Sequence, residues 1–404
     1  VRHWIPPAPL AAGLAYQLAA WLIVLAYAFV PSEGLALAWV HAVALGWLTT
    51  VALAVLLFVV SAFTDLPWRG ENVARAAAAI VPLATALLVL AFAAGAVVAL
   101  DLAAAVLLVA IGAYVAMAVR TLRQPAPART EAAIARALAV ALSMLALTAL
   151  LGAMLAGAYG GGDARVLALA PSHALLGIGA WLTVLVSGVS VQTFRPMFGT
   201  RSRWPRAHVA SGAGLLIGAV MAAVAAPWSA PMLRIGVALG ALGTAIYAAD
   251  ALDIVRRATT PHPALRAFAG AAVAWLIVAA ACAVAASWGI TPLGRAAVVA
   301  ALAGWLGGMV NAHLHHLGVR VVVTFLRGDD DETRPWEVLD PWLTWLALAA
   351  GQIAVAGAFA GTVWDVRPAF AIAGIAGVVA VLAMLANVLT VRRATLRERA
   401  DGSV

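Results

Sequence analysis

The chain has 404 residues, 65% of them hydrophobic and 10% charged, with a formal net charge of +8. A soluble domain is nearer half apolar and a quarter charged, so the composition excludes a soluble globular protein and indicates a polytopic membrane protein. Every basic residue is arginine, and Cys282 is alone inside an apolar run, which excludes a disulfide framework or a thiolate cluster.

Apolar runs of about 20 residues, each long enough for a hydrocarbon core of about 30 Å, recur along the chain. They predict helices over 8–30, 35–62, 73–98, 102–121, 132–158, 166–195, 207–226, 231–256, 264–287, 293–325, 341–363 and 367–391. No alternating ten-residue pattern is present, so the spans are helices and not barrel strands. No separate soluble domain is predicted, and residues 1–404 form one transmembrane domain.

Connections on one side are short and nearly neutral: "PSEG", "ALD", "YGGGDAR", "PWSAP", "SWGITPLGR" and "WDVRP". Those on the other carry the arginines: "RTLRQPAPART", "FRPMFGTRSRWPR", "RRATTPHPALR" and "RRATLRERADGSV". Arginine-rich loops stay in the cytoplasm, which predicts both termini inside. The positive charge is therefore topological. The expected partner is the lipid bilayer, not nucleic acid. The "DDDE" run within "RGDDDETRPWEVLD" reads as a solvated loop, with a cation-binding patch as the alternative. The first apolar run, behind "VRHWIPP", reads as a span rather than a removed signal.

Ionisable groups within a span are costly and usually face the bundle interior. His3, His208 and His262 fall at or beyond helix ends and are expected at the interface. His41 opens "HAVALGWLTTVALAVLLFVV" and His173 opens "HALLGIGAWLTVLVSGVSVQTF", both on helices entering from the neutral side. The two segments look alike, as an old repeat would, or as two helices solving one packing problem. In "GMVNAHLHHLGVRVVV", His313 and His315 project roughly 200° apart on a helix, whereas His313 and His316 share a face. Those two could approach one ion, and imidazole suits iron, copper and zinc. Arg320 lies one turn beyond His316, either snorkelling to headgroups or pairing with a carboxylate. Asn311, Gln192, Gln352, Ser187 and Ser190 are candidates to fix an imidazole tautomer. Asp250 and Asp253 read as surface ion pairs with the nearby arginines, or as the start of a proton path.

Twelve spans, histidines in the second and sixth, and His-x-His in the tenth resemble subunit I of the haem-copper oxidases. The phrase "HALLGIGAWLTVLVSGVSVQTFRPMF" is also similar to short, divergent subunit I-like proteins. The resemblance implies a subunit I-like bundle in a bacterial cytoplasmic membrane, binding b-type haem and copper. It further implies that His41 and His315 hold a low-spin haem, His313 a high-spin haem and His173 copper; His316 is a metal candidate only through the face it shares with His313. Where that family has a tyrosine four residues after the sixth-span histidine, this chain has Gly177, and in place of a seventh-span His-His pair it has only His208. The NnrS family, with twelve spans and a role in relieving nitric oxide stress, is a second resemblance, although "FRPMFGTRSR" lacks its "RxxLGHTGR"-like ending.

Depth leaves two arrangements open. At 1.5 Å per residue, His315 lies roughly 30 Å along its helix and His41 about 10 Å into its own. Either the tenth span begins irregularly, or His41 pairs with His173 and residues 313–316 form a separate inner site. The function expected is that of a haem-binding membrane redox protein in dioxygen or nitric oxide reduction, electron transfer or nitric oxide stress, served by an electron-donor protein or partner subunits. Whether it is an enzyme is left open. The alternatives are a transition-metal or proton-coupled transporter and a non-catalytic assembly protein.

Overall fold

The computed structural model describes residues 7–124, 132–327 and 334–400. His3, Trp4 and the acidic run at 329–332 lie outside them. Among the described residues every regular element is helical, and twelve helices are long and apolar enough to cross a membrane. They are α1 (Ala8–Phe29), α2 (Glu33–Thr64), α3 (Glu71–Ala94), α4 (Val97–Leu122), α5 (Ala135–Gly161), α6 (Ala164–Ser190, its helical course continuing to Phe198), α7 (Pro205–Ala225), α8 (Ala230–Arg256), α9 (Pro263–Ser287), α10 (Thr291–Thr324), α11 (Pro341–Trp364) and α12 (Arg367–Arg393). The protein is an all-α polytopic membrane protein.

The ends follow local chemistry. Ser32, Ser229 and Asp340 accept backbone N–H bonds at the starts of α2, α8 and α11, satisfying donors that a first turn leaves free. One boundary differs from expectation. The turn between α3 and α4 is not "ALD" but Gly95–Ala96: Gly95 takes φ +67°, and the Ala96 N–H donates back to the Ala91 carbonyl. Only glycine enters that left-handed region without a Cβ penalty. Asp101 consequently sits, exposed, in the second turn of α4.

Packing follows chain order around the bundle. Most neighbours in sequence pack together, and α1 returns against α12 to close the bundle. Three helices four apart in the order, α2, α6 and α10, meet one another at the centre. The meeting segments are not α-helical. Ala42–Thr49, Leu175–Thr183 and Ala300–Leu306 are π-helical, and α10 carries a further π-turn at Leu314–Gly318. A π-turn inserts one residue and rotates everything after it by about 100°, and such turns cluster at functional sites. The likeness between the His41 and His173 segments is thus structural, and α10 adds a third π-turn. Each of the three central π-segments carries a tryptophan: Trp47, Trp181 and Trp305, at most 2% exposed. Trp181 Nε1–H donates to Thr49 Oγ1 at 3.2 Å, tying α6 to α2. The Trp47 ring lies over Gly307, where a Cβ would stand 2.6 Å from Cη2. These indoles form an apolar layer across the middle of the bundle.

Candidate functional site

The tryptophan layer separates two groups of imidazoles. His41 is six residues from Trp47 toward the neutral side, about 9 Å, while His315 is eight residues beyond Gly307 toward the arginine-rich side, about 12 Å. Some 20 Å of depth therefore lies between them, and two ligands of one metal, with bonds of about 2 Å, cannot be so far apart. The assignment of His41 and His315 to a single haem is corrected accordingly. Of the two arrangements left open by the sequence, the structure has the second: His41 faces His173.

On the neutral side the His41 and His173 ring centres are 6.4 Å apart, with planes inclined by 23°. His41 Nδ1 lies 2.8 Å from the Leu37 carbonyl, within its own helix, and His173 Nδ1 lies 3.1 Å from the Thr148 carbonyl of α5. A carbonyl only accepts, so each Nδ1 carries the hydrogen and each Nε2 has the free lone pair. Phe92 stacks on His41 at 4.9 Å, and a Cβ on Gly152 would stand 2.9 Å from His173 Cε1, so α3 and α5 flank the pair.

On the arginine-rich side the two faces of α10 serve different neighbours, as the helical geometry predicted. His315 is buried against Phe268 of α9, with Nδ1–H donating to the Asn311 carbonyl. His313 turns to α6. Its Nδ1–H donates to the Met309 carbonyl at 2.8 Å, and its Nε2 accepts the Thr193 hydroxyl at 2.7 Å. His313 is also the imidazole lining a cavity of about 470 Å³ between α1, α2, α6 and α10. Its walls are mainly Leu, Val and Phe, with Gln192, Thr193, Arg320 and Thr324 as polar groups. Arg320 shares this cavity with His313, which lies seven residues, about two turns, before it on α10.

Some sequence expectations change. His262 is not wetted at the interface. It caps α9, accepting the Leu265 N–H at Nδ1, and is 6% exposed beside His315 and His316. Burial pushes its imidazole below the ordinary histidine range. His262 Nε2 and His316 Nδ1 are buried without a hydrogen-bond partner. Among the described residues no group of three or more His, Cys, Asp or Glu side chains is placed to hold a metal ion. The tautomers are fixed by backbone carbonyls and not by the proposed side chains. Gln352 accepts from Trp275, Asn311 Oδ1 from Gln17, and Ser187 donates to Val184. Asp253 pairs with Arg257 as expected, but Asp250 does not pair with arginine. It is 2% exposed, accepts from Ser202 at 2.7 Å and lies 3.4 Å from His208 Nδ1. One turn further, Tyr247 OH meets Ser190 Oγ at 2.7 Å, and Ser190 is one turn from Thr193. A series of polar groups thus leads from Asp250 toward His313. Tyr247 carried no sequence signal, being one tyrosine in an alanine-rich helix.

Set against protein-family models and against curated proteins, the chain matches none.

Proposed function

We propose that the chain is a haem-binding redox protein of a bacterial cytoplasmic membrane, with both termini on the arginine-rich, cytoplasmic side. The observation that carries this reading is the His313 Nε2 lone pair at the wall of an apolar cavity of about 470 Å³. That volume falls in the range of roughly 300–1,000 Å³ usual for cofactor sites, and the mix of apolar walls with a few polar groups fits an amphipathic macrocycle.

In this reading His313 would hold the haem iron through Nε2. Its Nδ1–H bond to Met309 orients the ring and raises the basicity of Nε2. Thr193 must release Nε2 first, and its hydroxyl has the Val189 and Ser190 carbonyls, each 3.2 Å away, as substitute acceptors. Arg320 and Gln192 line the same cavity, and a guanidinium there suits a propionate carboxylate. The Leu and Val walls exclude water and ions while admitting small neutral molecules. Haem bound there supplies one-electron chemistry and affinity for dioxygen or nitric oxide. Asp250, Tyr247, Ser190 and Thr193 are protonatable or hydroxyl groups leading to the cavity from the cytoplasmic side, where protons consumed by such chemistry would enter.

Protein purified from haem-replete cells is expected to be red, with a Soret band that His313→Ala abolishes and His41→Ala leaves in place. A colourless preparation from such cells overturns the reading.

A further inference from the structure

We propose that Arg69, Arg120 and Arg123 form a headgroup site for an anionic membrane phospholipid carrying two phosphates, of the diphosphatidylglycerol class. The site lies at the arginine-rich end of α4. It is separate from the haem reading and does not depend on it.

The three arginines line a cavity of about 440 Å³ with Gln124, Ala116 and Val119. Each arginine is exposed, and among the described residues no carboxylate lines the cavity or pairs with them. Glu71, two residues beyond Arg69, is held instead by Arg75 at 2.7 Å. Guanidinium groups stay charged at any accessible pH, so the cavity carries three positive charges without an internal counter-ion. Charge of one sign around a concavity focuses its field on whatever enters.

The chain holds Arg69 in this place. Residues 65–70, between α2 and α3, are fixed to the end of α4 at two points. Arg69 N–H donates to Thr121 Oγ1 at 2.9 Å, and Gln124 Nε2–H to the Pro67 carbonyl at 2.9 Å. The Trp68 indole N–H donates back to the Leu57 carbonyl of α2, and its ring meets Tyr114 of α4 edge-on. Gly70 then takes φ +83°, and a Cβ there would collide with Met117 Sδ, so only glycine makes this turn. The other Gln124 Nε2 hydrogen goes to the Thr121 carbonyl, which makes that side chain a strut and leaves the guanidinium groups as the cavity's donors. The membrane's bias for arginine on one side, and the C-terminal end of a helix, account for Arg120 and Arg123. Neither accounts for an arginine from another segment tied beside them around a common cavity.

The α4 face next to the cavity is apolar. Leu102, Val106, Val109 and Ala116 are all exposed and recur at helical spacing, forming one lipid-facing stripe that ends at Arg120. A Cβ on Gly112, on the same face, would meet nothing within 4 Å, so the stripe is shallow there. Acyl chains thus have a path from the charged cavity into the bilayer, which a soluble phosphate would not use. Basic pockets between transmembrane helices receive such headgroups. Charge count selects the lipid. One phosphodiester leaves two of three positive charges unopposed, whereas two phosphates leave one, and each can accept a forked guanidinium bond.

The test is native mass spectrometry of the delipidated full chain in detergent, titrated with diphosphatidylglycerol, phosphatidylglycerol and phosphatidylcholine of matched acyl chains. One tightly held diphosphatidylglycerol per chain is expected in the wild type and in His313→Ala. The same is expected in Arg392→Gln, which removes an exposed arginine outside the cavity. Arg69→Gln, Arg120→Gln and Arg123→Gln should each weaken binding by about 5-fold or more, the effect of one basic residue at a membrane surface. Arg69→Lys, which keeps the charge and loses the fork, should fall between wild type and glutamine. Equal binding of phosphatidylglycerol would overturn the two-phosphate assignment, and equal loss in Arg392→Gln would reduce the site to a diffuse positive face. Displacement of the lipid by inorganic phosphate would put a soluble anion in its place. Unchanged affinity in all three glutamine variants would overturn the proposal outright.

Discussion

Thr193 of the α6 helix donates its hydroxyl hydrogen to Nε2 of His313 on α10 at 2.7 Å, so the lone pair that would bind iron is occupied by a neighbour in the same cavity. The two are in competition. Removing the hydroxyl in Thr193→Val leaves a buried acceptor without a donor in the haem-free protein, at a cost of roughly 1–3 kcal/mol, and costs nothing where Nε2 is ligated. Stability without haem should therefore fall while haem affinity rises, by about 5- to 140-fold at 1.4 kcal/mol per tenfold. Haem titration of both proteins checks this, and weaker haem binding in the valine variant would contradict it.

Asp250→Asn removes a buried carboxylate that meets Ser202 and His208, one turn from Tyr247. If this series carries protons to the cavity, the variant should flatten the pH dependence of the haem midpoint potential while leaving haem content unchanged. Tyr247→Phe breaks a buried 2.7 Å bond to Ser190 and should lower stability by about 0.5–1.5 kcal/mol. An unchanged pH profile in Asp250→Asn would confine the series to a structural role.

His262 supplies a pH dependence of defined sign. Its folded-state pKa is lowered by burial, so between that value and the ordinary value of about 6.5 the unfolded chain binds more protons than the folded one. The stability contribution is present above pH 6.5 and is lost as pH falls through that window. A protonated imidazole also loses the lone pair that caps Leu265 N–H. Thermal melts in detergent between pH 7.5 and pH 5, at steps on the order of 0.5 unit, should show a smaller acid loss in His262→Asn, which keeps a capping oxygen. Parallel curves would remove His262 as the cause.

Gly307→Ala places a Cβ 2.6 Å from the Trp47 ring in the central layer and should destabilise by about 1–3 kcal/mol. Gly112→Ala, with nothing within 4 Å, should instead stabilise α4 by up to about 1 kcal/mol. Melting temperatures of the pair compare a filled interior with helix propensity alone.

The twelve spans were legible because lipid demands long apolar helices with every backbone group bonded internally, and arginine placement gave their alternation. The α3–α4 turn was misread because Asp101 looked like a loop residue, although an acid in the second turn of a helix can reach the interface. Opposed faces for His313 and His315 followed from 100° per residue. The burial of His262 did not, because its position beside a proline and an arginine looks like any membrane-edge loop.

The sequence alone thus determined membrane residence, helix number and which spans carry imidazoles, since each depends on composition and local periodicity. Tertiary structure decided which imidazoles meet. His41 joins His173 because α2 and α6 enter from the same side and pack at one depth, and His313 meets Thr193 because α6 and α10 lie side by side at that level. Neither the depth nor the side at which two helices meet leaves a periodic trace along a single chain.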